Sequence, residues 1–241
     1  MRILSKSSAG ATTLAVTLAL LSFSCARYLP WRDAPAASEV NLSFTLERNL
    51  IALPTLRINN RPGRFLLATA APHSILDPSF AGRGPHALQI SQKETVRLTP
   101  SSLDLQGVAD AFIGSEAWGG HAISIDYRSG LVTYQKDGIH TGLMKVFRYD
   151  GEPKVYVTVD GVELATVVDT TSPDTLVLPR REAGRGTAQV SVAGTDFGPT
   201  DVLYANVSQP RIGNRLLSRF LVTIDYGKQL VGLWRDPRIP L

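Results

Sequence analysis

Residues 65–76 read FLLATAAPHSIL, and residues 166–178 read TVVDTTSPDTLVL. Both stretches open with three apolar or β-branched residues, then a variable residue, then Thr, with Pro four positions after the variable one. That variable residue is Ala68 in the first copy and Asp169 in the second. A site written twice, with its carboxylate in only one copy, frames both the architecture and the chemistry.

A second pair of stretches closes each half of the chain. Residues 112–134 read FIGSEAWGGHAISIDYRSGLVTY, and residues 211–234 read RIGNRLLSRFLVTIDYGKQLVGLW. Ile113-Gly114 aligns with Ile212-Gly213, and Ile125-Asp126-Tyr127 with Ile224-Asp225-Tyr226. The offsets are 169 − 68 = 101 at the opening motif and 225 − 126 = 99 at Asp-Tyr. A drift of two residues is what a duplicated unit with small loop insertions leaves, so the chain is an internal repeat.

Each unit reads as β. Residues 54–59 (PTLRIN) and 154–161 (KVYVTVDG) alternate apolar and polar positions and end in turn residues, as half-buried strands do. The runs at 64–69 (RFLLAT) and 165–170 (ATVVDT) suit strands buried on both faces, and 95–98 (TVRL) and 188–194 (AQVSVAG) alternate again. The closing stretches place two strands around a Gly-containing turn, the pattern of a hairpin. Helix is expected only as short pieces after each Ile-Gly, at SEAW and NRLLSRF.

Length and composition set outer bounds. The chain has 241 residues, 44% apolar and 19% charged, which is ordinary globular composition with material for a real core. The net charge of +4 is spread without a basic run or aromatic-interleaved cluster, so no nucleic-acid partner is expected. His73, His86, His121 and His140 lack ligand spacing, and no metal or other cofactor is expected.

Residues 1–25 stand apart. Arg2 and Lys6 precede an apolar run at 11–21, then small residues at Ser22, Ser24 and Ala26, the layout of a signal peptide. The only cysteine, Cys25, ends LSFSC, which resembles a bacterial lipobox and makes Cys25 a lipidation candidate with membrane attachment. Ser22 stands where that pattern has Leu, and cleavage at Ser24 or Ala26 to give a soluble exported protein is the competing reading. An uncleaved anchor is a third. Residues 26–39, rich in Pro and Ala, are expected to form a tether.

Taken in order, these motifs resemble the retropepsin-like and pepsin-like aspartic protease family in its bacterial form, with two lobes in one chain. The resemblance runs from about Val40 to Trp234. It implies an all-β fold of two homologous β-barrel lobes about a pseudo-twofold axis, each with a short helix. The expected organisation is an N-terminal lobe at 40–137, a linker at 138–150, a C-terminal lobe at 151–236 and a tail at 237–241. Flaps are expected around 96–105 and 190–203.

The reaction of that family needs two carboxylates sharing one proton, because like charges so close cannot both ionise. On this chain the resemblance places Asp169 at the surviving catalytic position and Ala68 at the degenerate one. Thr69 and Thr170 fall where the family interlocks its lobes. The motif glycines are replaced by Ala70 and by Thr171, where a β-branched residue disfavours positive φ.

The expectation is therefore a catalytically degenerate exported protein, monomeric, periplasmic, membrane-anchored or secreted, holding an extended peptide or protein ligand between its lobes. One alternative is an active aspartic endopeptidase that unites two Asp169 carboxylates by homodimerisation. Another is a purely structural envelope lipoprotein. Asp126 and Asp225 read as turn residues, Trp118 and Trp234 as core, and Glu116 as a solvated helix residue or a visitor to the cleft. Asp77 and Asp174 lead away from the axis.

Overall fold

The computed structural model describes residues 39–135 and 142–239, within one unit spanning Asp33–Leu241. The signal peptide, Cys25 and all of the expected tether but Glu39 lie outside the described residues.

The first half runs through β1 (Val40–Ser43), β2 (Thr45–Glu47), β3 (Leu50–Ala52) and β4 (Arg57–Ile58). Next come β5 (Phe65–Leu67) and β6 (Ile75–Leu76), which bracket Ala68. The chain continues as β7 (His86–Gln89), β8 (Thr95–Leu98), β9 (Ser101–Ser102) and β10 (Ala111–Ile113). A 3-10 turn at Ser115–Trp118 precedes the hairpin of β11 (Ala122–Asp126) and β12 (Leu131–Gln135). The expected strand at PTLRIN shortens to two residues because Asn59 and Asn60 turn into positive φ.

The second half repeats the order. It holds β13 (Lys145–Arg148), β14 (Lys154–Val159), β15 (Val162–Val168) and β16 (Leu176–Pro179). There follow β17 (Gly184–Val192), β18 (Thr195–Ala205), β19 (Arg211–Ile212), the single turn of α1 (Asn214–Leu217), β20 (Leu221–Asp225) and β21 (Leu230–Trp234). The expected linker at 138–150 thus contains a strand: β13 pairs antiparallel with β21, as β1 pairs with β12.

Three features organise these strands. One six-stranded sheet, ordered β1-β12-β11-β20-β21-β13, draws three strands from each half. At its centre Ser124 faces Thr223, and 223 − 124 = 99 is the motif offset, so each residue meets its own counterpart. Their hydroxyls lie 2.7 Å apart. The second half then closes a six-stranded barrel, β14-β15-β19-β16-β18-β17.

The first half does not close, which corrects the expectation of two barrels. Its strands outside the shared sheet divide between a six-stranded sheet (β2-β3-β5-β10-β6-β9) and a three-stranded one (β4-β7-β8). One break falls between β8 and β9 at Thr99-Pro100, where proline has no N–H for a ladder, and a second lies between β4, which pairs with β7, and β5, which pairs with β3.

The expected second flap is also corrected. Residues 190–203 lie within the β17–β18 hairpin, whose turn end pairs with β14 and whose open end pairs with β16. Both ends are anchored, so the hairpin is barrel wall. In the first half, residues 96–105 comprise most of β8, the break, β9 and the loop through Leu105.

Side chains of both halves share one core, including Phe65, Leu67, Ile113, Trp118, Val168, Ile212, Leu217 and Ile224, all fully buried. Trp118 is core as expected, whereas Trp234 is half-buried. A smaller apolar cluster of Ala52, Leu66, Leu105 and Ala109 lies beside it.

Candidate functional site

The repeated motifs meet in the interior. Ala68, Thr69, Asp169 and Thr170 are each at most 4% exposed. Each motif hangs from the Ile-Gly segment of its own half: the Ala68 N–H donates to the Ile113 carbonyl at 2.9 Å, and the Asp169 N–H to that of Ile212 at 3.0 Å. The glycines are sterically required. A Cβ on Gly114 would come within 2.6 Å of the His73 backbone, and one on Gly213 would strike the Asp174 carbonyl.

Between the halves the two threonines exchange hydrogen bonds reciprocally. The Thr69 N–H donates to Thr170 Oγ1 and the Thr170 N–H to Thr69 Oγ1, both at 3.1 Å. Each hydroxyl then donates across the junction, Thr69 to the Val168 carbonyl and Thr170 to that of Leu67, both at 2.7 Å. Every polar atom of the pair is used, as burial requires.

The closing hairpins brace this junction. Tyr226 donates to the Thr69 carbonyl at 3.3 Å. Tyr127 donates to Asn214 Oδ1 at 2.8 Å, and Asn214 Nδ2 donates to the Thr170 carbonyl at 2.6 Å. Burial pushes both tyrosine hydroxyls well above their ordinary titration range, so they stay protonated and remain donors.

The one carboxylate of the repeated motif is held by protein on both oxygens. Asp169 Oδ1 accepts from the Thr171 N–H at 2.9 Å and from the Thr171 hydroxyl at 2.5 Å. Asp169 Oδ2 accepts from Arg211 Nη1 at 2.7 Å. Neither Ala70 nor Thr171 adopts a left-handed backbone, so the strain expected at Thr171 does not arise and its hydroxyl becomes a ligand of Asp169.

Arg211 was not among the residues singled out from sequence. It stands in β19 where Phe112 stands in β10, since 211 − 112 = 99. Phe112 lies beside Leu66 in register, and Arg211 lies beside Val167, the counterpart of Leu66. The visible signal was a charge at an apolar position of the repeat, RIG against FIG.

The other carboxylates have structural partners. Asp126 Oδ1 accepts the N–H groups of Arg128 and Ser129, and Asp225 Oδ1 accepts that of Lys228, which fits turn-forming roles. Asp174 pairs with Arg185 at 3.3 Å. Asp77 accepts from the Ser79 N–H and hydroxyl on one oxygen and from the Leu105 N–H on the other. Glu116 is neither solvated nor beside Asp169 in its bonding: it ties Ser74, Thr99 and His73 together through its two oxygens.

No family model matches the chain, and no curated protein matches it.

Proposed function

We propose that this chain is a two-lobed protein of aspartic-protease architecture that does not hydrolyse peptides, its dyad position having become a structural junction. The carrying observation is the contact of Arg211 Nη1 with Asp169 Oδ2 at 2.7 Å, opposite a half whose equivalent position is Ala68. Peptide hydrolysis by such a site needs a carboxylic acid and a carboxylate sharing a proton. Here one member is a methyl group, and the other is already engaged by a guanidinium and by Thr171.

The order of motifs, the reciprocal threonines and the self-paired Ser124 and Thr223 support the two-lobed reading with a pseudo-twofold axis. On this reading the protein acts after export by binding, held at the envelope by lipid on Cys25 or released by cleavage nearby. A homodimer uniting two Asp169 side chains would have to break both Arg211 pairs and both threonine junctions, and the covalently attached first half competes for the same surface.

The test is hydrolysis of a mixed peptide pool at acidic pH by the purified protein. No cleavage is expected from the native chain. Cleavage blocked by a statine-type inhibitor and abolished by Asp169→Asn would sink the proposal. Combining Ala68→Asp with Ala70→Gly, Thr171→Gly and Arg211→Leu is expected to restore measurable hydrolysis.

A further inference from the structure

The two halves use a tetrapeptide they share in different ways. Ala81-Gly82-Arg83-Gly84 recurs as Ala183-Gly184-Arg185-Gly186, at an offset of 184 − 82 = 102. In the second half this stretch opens β17 and pairs with β18, Gly184 facing Tyr204, Arg185 facing Leu203 and Gly186 facing Val202. Arg185 is neutralised there by Asp174 at 3.3 Å.

In the first half the same residues stay out of the sheet. Gly84 takes φ +116 and is followed by Pro85, which cannot donate to a ladder. The His86 ring N–H donates to the Gly82 carbonyl at 2.8 Å, and His86 is itself engaged by Asn59, so the loop is fixed in that position. β9 is consequently an edge strand whose sheet neighbour is β6. Its Ser101 and Leu103 N–H groups go to the Ser74 and Leu76 carbonyls, so strand alternation turns the Ser102 N–H and C=O toward the open edge.

Between that edge and the loop lies a cavity of about 400 Å³, lined by Leu76, Pro100, Ser101, Ser102 and the segment Gly82 to Gly84. Arg83 lies in its wall. The position of Asp174 is taken by His73, whose ring faces Glu116, and Arg83 makes no ion pair among the described residues. A cation without its acid and a strand without its neighbour thus share one cavity.

We propose that this cavity binds a short extended peptide segment with an internal Asp or Glu, which adds to β9 as its missing strand and pairs its side-chain carboxylate with Arg83. The second half of the same molecule displays both interactions made internally, a strand on β18 and a carboxylate on the arginine. Strand addition supplies main-chain hydrogen bonds, and the guanidinium selects a carboxylate by charge-assisted bonding. Asp169 and its partners take no part, so this site stands whether or not the dyad position is inactive.

The probe is a fluorescein-labelled, end-blocked peptide of sequence Ser-Val-Thr-Glu-Val-Thr-Ser, titrated against the full chain by anisotropy. Saturable binding is expected, weakened about tenfold when the peptide Glu becomes Gln or when Arg83→Gln is made, with no further loss when both are changed. Arg185→Gln leaves binding unchanged. Hydrogen exchange followed by mass spectrometry is expected to slow across residues 101–103 on binding. Absence of saturable binding, equal affinity for Arg83→Gln, or protection confined to another region would overturn the proposal. So would slow exchange at Ser102 in the free protein, which would mean that the 82–84 loop closes on β9 by itself.

Discussion

Arg211 occupies the free oxygen of Asp169 from within the same half, tying β19 to the motif turn, while the threonine pair joins the two halves there. With Arg211 removed, Asp169 would keep only the two Thr171 donors on Oδ1, and Oδ2 would be left buried without its partner. The Arg211 side chain is 29% exposed, so solvent screens the pair and its coupling falls below that of a fully buried one. A double-mutant cycle of Asp169→Ala and Arg211→Ala, read by denaturant unfolding, is expected to give a coupling energy of about 1–2 kcal/mol. Coupling near zero would show that the pair does not contribute in solution. The threonines are a different case, because Thr69→Val would strip the Thr170 N–H of its buried acceptor, at a cost of about 1–3 kcal/mol. Ala68, Asp169 and both threonines were legible from the repeat, since a motif copied at a fixed offset marks equivalent positions. Arg211 was not, because only folding brings β19 against the carboxylate.

Loops and strands beyond the motifs follow the same logic of local pattern against distant pairing. Asp77 follows β6 and fixes Leu105, whose side chain belongs to the small apolar cluster with Leu66. The Ser79 hydroxyl, then the Leu105 and Ser79 amides, hold the Asp77 carboxyl below the usual carboxylate range. A lowered folded-state pKa favours the charged form, so its stabilisation is complete above the ordinary carboxylate range and is lost as pH falls below it. The difference in Tm between the native chain and Asp77→Asn is therefore expected to be largest near neutrality and to shrink under acid; a difference independent of pH would refute this. The closing hairpins were readable because alternation and a turn lie within one short window. The β17–β18 hairpin was readable as strands, but its place as barrel wall depends on β14 and β16, 26 to 35 residues away in register (Leu176 with Val202 is 202 − 176 = 26 apart, Val157 with Val192 is 192 − 157 = 35). At that distance the local pattern of residues 190–203 carries no sign of the strands that anchor it.

The six-stranded sheet shared by both halves predicts how the protein unfolds. β11 and β20 form its centre, and the threonine junction lies in the same shared core, so neither half has a complete interior alone. Thermal unfolding followed by far-UV and near-UV circular dichroism is expected to give one coincident transition. Two separated transitions would show that the halves are independent domains. The amino-acid sequence by itself determined the duplication, the all-β class, the hairpins and the absence of a carboxylate at position 68. Those properties are carried by residue type and by periodicity over neighbouring positions, which a linear chain displays directly. Only the tertiary structure decided that one half closes a barrel while the other leaves β9 open, that β13 completes the shared sheet, and that Arg211 reaches Asp169. Each of these depends on hydrogen bonds or charges between residues far apart in the chain, and such partners are chosen by packing in three dimensions.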